Sequence, residues 1–89
     1  MPKRVLTRAQ FERDTKRALC RGKDGSKLAD VIELLTGDQP LPVKLRDHPL
    51  KGEWAHHRDC HIEPDWILIY KVESTLLTLV RTGTHADLF

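Results

Sequence analysis

Eighty-nine residues, 39% hydrophobic and 31% charged, suffice for one modest core in a single domain spanning 1–89 and leave no room for a large internal cavity. No apolar run approaches the ~20 residues that cross a bilayer, and no apolar segment follows the basic start Met1–Leu6, so neither a membrane partner nor a signal peptide is expected. The net charge of +2 hides an asymmetry: residues 1–27 carry nine Lys or Arg against three Asp or Glu, which suits a polyanionic partner or marks a solvated helix face.

In chain order, Val5-Leu6 marks a short first strand. Thr7-Arg8-Ala9-Gln10 reads as a capping box opening a helix, with a hydroxyl at the cap and an amide three residues on. Phe11, Thr15, Ala18 and Leu19 recur at helical spacing, and Gly22 ends that helix. Ser26 caps a second helix buried through Leu28, Val31, Ile32 and Leu35, and Gly37 stops it. Together they predict an αα-hairpin. Pro40 and Pro42 keep the next stretch extended, and Lys44–His57 reads as a structured loop. From Arg58 to Glu63 the period becomes two, with Cys60 and Ile62 on one side and Asp59, His61 and Glu63 on the other. Trp66–Val72 and Leu76–Thr82 are apolar strands, joined through Glu73-Ser74-Thr75 and preceded by a turn at Pro64-Asp65. The expected fold is α+β in the order β-α-α-β-β-β, a helical hairpin packed on an antiparallel sheet.

Cys20 and Cys60 lie far apart and outside any CxxC motif, the pattern of free thiols in a reducing cytoplasm. The five histidines all follow residue 47: His48, His56, His57, His61 and His85. Imidazole titrates near neutral pH and suits acid–base work on a phosphodiester. His57 and His61 have the i, i+4 spacing of a helical metal site. On a strand, however, their Cα atoms would stand about 13 Å apart, too far for a shared ion with bonds of ~2 Å. No metal and no cofactor is expected.

Three segments recur together: Asp47-His48-Pro49-Leu50 before Gly52 and Trp54; Arg58-Asp59, His61 and Glu63-Pro64-Asp65-Trp66-Ile67-Leu68-Ile69-Tyr70; and Arg81-Thr82-Gly83-Thr84-His85-Ala86-Asp87-Leu88-Phe89. In this order and spacing they closely resemble the YafQ branch of the RelE/ParE toxin superfamily, over residues 41–89. Residues 1–40 match that branch in layout more than in residues. The resemblance implies a RelE-like fold and an endoribonuclease toxin that cuts messenger RNA in the ribosomal A site and is neutralised by a cognate antitoxin. It carries functional roles onto His48, His61, Asp65, Trp66, His85 and Phe89, and it matches Arg81 to an arginine of the wider superfamily.

The residues suit such a reaction. Attack by the RNA's own 2′-hydroxyl needs a base, charge facing the phosphate, and an acid for the departing 5′-oxygen. His85 is expected as the acid and His61 or His48 as the base. Asp65 would hold the protonation state of a neighbour or only stabilise its turn. Arg81 would fork onto phosphate. Phe89 and Trp66 would stack on bases, or Trp66 would begin a core strand. Trp54 reads as a loop anchor, Tyr70 as core, and His56 and His57 as surface residues. Arg13, Lys16 and Arg17 would meet ribosomal phosphates or acidic antitoxin side chains. Two rivals differ in class. A ParE-like toxin would bind a protein target without catalysis, and a metal-dependent nuclease would need clustered carboxylates.

Overall fold

The computed structural model describes residues 2–89. Strand β1 (Arg4–Thr7) leads into helices α1 (Ala9–Cys20) and α2 (Gly25–Thr36). Then follow β2 (His48–Pro49), β3 (Arg58–Glu63), β4 (Trp66–Val72), β5 (Leu76–Gly83) and a closing helix α3 (His85–Leu88). The five strands form one sheet in the order β1-β5-β4-β3-β2. The α+β layout and the helical hairpin are as expected, and the three long strands fall where the hydrophobic pattern puts them.

Five details differ. The sheet is mixed, because β1 runs parallel to β5, with Thr7 opposite Leu79. A period-two pattern is the same for either strand direction; the direction depends on how the helices return the chain. The Thr7–Gln10 capping box does not form, since Thr7 belongs to β1 and its hydroxyl donates to Glu12 instead. Asp24 rather than Ser26 caps α2, accepting from both the backbone N–H and the hydroxyl of Ser26. The loop before β3 contains the two-residue strand β2, and the tail after Gly83 is helical, closed by a capping box between Thr84 and Asp87.

The main core lies between the helices and one face of the sheet. Phe11, Leu28, Val31 and Leu35 pack there against Leu68, Tyr70, Leu77 and Leu79. Ile67 and Ile69, on the other face, join Leu88 of α3 and the partly buried Leu50, Trp54 and Val80. Strand β4 is therefore covered on both faces, which accounts for its unbroken apolar run. No helix among the described residues is long and apolar enough to cross a membrane.

Trp66 opens β4 on the helix side with 1% of its surface exposed. Its indole N–H donates to Thr82 Oγ1 at 2.9 Å, and that hydroxyl donates to the Ile67 carbonyl at 2.8 Å. The ring has no free face for a base, so the expected stacking role is corrected: Trp66 is core. Trp66→Ala should lower the unfolding free energy by about 3–5 kcal/mol in urea denaturation. A loss under about 1 kcal/mol would contradict this burial.

Candidate active site

Strand register assembles the site on the sheet face opposite the helical hairpin. One rung runs His48, Asp59, Ile69, Arg81 across β2, β3, β4 and β5; the next runs His61, Ile67, Gly83. Adjacent strands lie about 4.8 Å apart, so His48 and His61 stand close, and the chain leaving Gly83 brings His85 in from the other side. The His48 and His61 ring centroids are 6.3 Å apart, and those of His61 and His85 are 5.3 Å apart.

Helix α3 fixes His85. Leu88 sinks into the Ile67–Ile69 layer, and Asp87 accepts from the Thr84 backbone and from Arg21 at 2.9 Å. Those donors hold the Asp87 carboxyl well below the usual carboxylate range. A Cβ on Gly83 would stand 3.0 Å from the Asp87 side chain, so any larger residue here would push that carboxylate aside by a few tenths of an ångström. Asp65 then takes the His85 backbone N–H at 2.9 Å and its ring Nδ1 at 2.6 Å. Both donors lower the Asp65 pKa, the backbone N–H first. A carboxylate can only accept, so His85 Nδ1 carries the hydrogen and Nε2 is left for proton transfer.

His48 is anchored in the same manner by a carbonyl. Its Nδ1 donates to Arg46 O at 2.6 Å, leaving Nε2 outward as a lone pair when the ring is neutral. The strand that carries it is only two residues long. Asp47 holds that strand down by accepting from Arg58 and from the Tyr70 hydroxyl.

Beneath the imidazoles lies Asp59, 3% exposed. Its Oδ1 makes no hydrogen bond and has His48 Nδ1 at 3.2 Å. Burial raises its pKa, and the charges of His48 and His61 pull the other way. In the sequence Asp59 falls on the His61 side of β3 without an expected role. Its signal was a carboxylate two residues before a site histidine, on the same face of the strand. For His61 itself, burial comes first and lowers the pKa, the neighbouring His85 and His48 add to that, and Asp59 opposes it.

The remaining expected residues are dispersed. Arg81 turns to α1, where its Nε and Nη2 fork onto Asp14 at 2.8 and 3.1 Å. Phe89 follows α3 with 60% of its surface exposed. Arg13, Lys16 and Arg17 lie on the exposed face of α1, with Arg13 bonded to Gln10 and Arg17 to Asp14. Trp54 packs its ring edge-to-face with His57 at 5.6 Å, as a loop anchor, and His56 is exposed. Cys20 and Cys60 are free thiols. Among the described residues, no three His, Cys, Asp or Glu side chains are grouped to hold a metal ion.

Three imidazoles with two carboxylates on one sheet face, two of the rings tethered through Nδ1, define a small α+β protein equipped for general acid–base chemistry. The sequence profile of the bacterial YafQ toxins of type II toxin–antitoxin systems matches residues 3–89. The chain is 52% identical over 81 residues to the mRNA interferase toxin YafQ of Escherichia coli K12, covering 90% of this chain and 88% of that one. It superposes on the toxin in the E. coli DinJ–YafQ toxin–antitoxin complex with a TM-score of 0.92 at 47% identity, over 100% of this chain and 99% of that one. A metal-bound toxin from Helicobacter pylori gives 0.91 at 38% identity, with 100% of both chains covered. The chain belongs to the YafQ family of bacterial toxins.

The electrostatics of the site can be read directly. The His61 ring should titrate below the ordinary histidine value of 6.5 when followed by NMR of its ring protons. Asp59→Asn removes the one negative charge opposing that shift and should move the midpoint lower still. A midpoint above 6.5, or an upward move in the variant, would contradict this arrangement.

Proposed function

We propose that the protein is an mRNA endoribonuclease toxin that cleaves by metal-independent acid–base catalysis on the ribosome, in the A site, and is silenced in the cytoplasm by a cognate antitoxin. One observation carries this reading: the histidine–carboxylate cluster stands intact in a chain 52% identical to an mRNA interferase. The E. coli toxin that this chain superposes on is bound to its antitoxin DinJ, which supports the partner.

In this mechanism the neutral His61 or His48 takes the proton of the 2′-hydroxyl, which attacks the adjacent phosphorus. His85, charged and held by Asp65 through Nδ1–H, delivers its Nε2 proton to the departing 5′-oxygen, leaving a 2′,3′-cyclic phosphate. The low pKa of His61 favours the base role, because a base must be neutral at working pH. Arg81 contributes less than a free guanidinium would, since Asp14 occupies two of its three nitrogens; Nη1 remains for phosphate. Phe89 offers an exposed ring for an unstacked base. The basic face of α1, with Arg13, Lys16 and Arg17, meets ribosomal phosphates.

Induced expression of the toxin alone should arrest translation, with in-frame cuts in coding sequences on mapping messenger RNA 5′ ends; continued synthesis with soluble, folded protein would sink the proposal. On programmed ribosomes, His85→Ala should slow single-turnover cleavage by about 10²–10⁴-fold, and a 5′-thio leaving group should restore the rate. No rescue would remove His85 from the acid role. Cleavage should survive stripping of transition metals with magnesium restored, whereas rescue only by zinc, copper or manganese would replace this mechanism with a metal-dependent one.

A further inference from the structure

Strand β2 covers only Arg58 and Asp59 of β3, so the outer edge of β3 from Cys60 to Glu63 carries no strand. Beside that edge lies a cleft of about 380 Å³ bounded by α2 and the helical turn Val43–Leu45. This volume falls within the range of small-ligand pockets. Leu45, Ile62 and Pro64 give the cleft apolar walls, Lys27, Lys44 and Arg46 line it, and His61 forms part of its lining. The cleft and the histidine cluster therefore share a residue.

The charges of the cleft are unequal in availability. Glu63 is taken by Lys23 at 2.8 Å and Lys27 at 2.9 Å, which neutralises the one acid in the wall. Among the described residues, Lys44 and Arg46 have no ion-pair partner, and both are exposed. Arg46 sits in the left-handed region with φ 51°, a conformation that costs a non-glycine residue of order 1 kcal/mol or more. Its carbonyl is the acceptor that holds His48 Nδ1. The same backbone position thus sets the tautomer of a site histidine and sends a cation to the cleft.

We infer that this cleft seats the nucleotide adjoining the scissile phosphate, with Lys44 and Arg46 on the phosphate and the base against Leu45, Ile62 and Pro64. The inference rests on the ribonuclease reading, because it takes His61 as the boundary between the reacting phosphate and this neighbour. Two unpaired cations beside an apolar wall suit a phosphate joined to a base. An occupant that touches His61 from this side is continuous with whatever reacts between His61 and His85. The mainly apolar wall also makes the cleft a place where one base can be preferred over another by shape.

The probe is a short 2′-O-methyl RNA, which lacks the attacking hydroxyl and stays intact. Titrated into isotope-labelled toxin, it should shift the backbone amides of Arg46, His61, Ile62 and Glu63. Lys44→Ala/Arg46→Ala removes two exposed side chains, and thermal melting confirms that the variant folds. With the contacts to that one phosphate gone, the slope of log affinity against log salt should fall by about 0.7. Shifts confined to α1, or the same salt slope in the variant, would overturn the inference. So would amides that respond to a bound antitoxin but not to RNA, which would make the cleft a protein-docking surface. Binding needs no cleavage, so a wild-type protein that failed to cut messenger RNA would sink the ribonuclease reading while this measurement still decided the cleft.

Discussion

The buried carboxylate of Asp14 joins the helical hairpin to the strand that ends at the site. Asp14 is 2% exposed and accepts from Gln10, Arg17, both donors of the Arg81 fork and the Thr82 backbone N–H. Burial alone would raise its pKa, but the hydrogen bonds from Arg81, Gln10 and Thr82 outweigh burial and lower it. The need for those donors is geometric. Strand β1 pairs with β5 only as far as Leu79, and beyond that point the outer edge of β5 has no strand beside it. Helix α1 lies there instead, and Asp14 supplies the acceptor that a strand would have provided. Removing it would leave the buried Thr82 N–H without an acceptor and the half-buried Arg81 guanidinium without its fork.

That constraint reaches the site through a short piece of chain. Thr82 is held by Asp14 on its N–H and by Trp66 and the Ile67 carbonyl on its hydroxyl. Gly83 and Thr84 follow at once, then His85. The strand end from which α3 and His85 depart is therefore anchored by a carboxylate on a helix of the opposite sheet face. His48 is placed quite differently, from an edge strand of two residues pinned by Asp47 to Arg58 and Tyr70. Between them His61 needs no device beyond the alternation of β3, which faces it away from Cys60 and Ile62.

Strand β3 was legible in the sequence to the residue, because alternation in a half-buried strand is a local property. So was the hairpin, whose breaks at Gly22 and Gly37 are local too. The parallel pairing of β1 was not, because strand direction is fixed by the path of the whole chain. Trp66 illustrates a further limit: a motif aromatic at a strand start is compatible with a core or a stacking role, and only its burial beneath the helices separates them. Arg81 could be recognised as important, but nothing local ties it to Asp14, 67 residues away. His85 and Asp65, 20 residues apart, both stand in motifs; their mutual bond depends on α3, which nothing in the tail's sequence pattern marks. Asp59 was visible as a side of a strand and invisible as a buried charge, since its cover includes β2 and His48, which arrive from elsewhere in the chain.

Proximity of the three imidazoles itself enforces a division of roles. At an effective dielectric constant of about 20, two positive charges 5.3 Å apart repel by about 3 kcal/mol, and by less where water screens the exposed His85 ring. Three protons therefore cannot be held on the cluster at neutral pH as easily as two. His61 has a ring on each side and is the most buried of the three, and both burial and its neighbours oppose its charging. His85 has Asp65 on its Nδ1, which leaves Nε2 as its free ring nitrogen. Asp59 limits how far His61 is depressed. A neutral ring in the centre beside a carboxylate-held ring on its flank is the asymmetry that acid–base cleavage of a phosphodiester needs. It follows from spacing and burial before any substrate is bound.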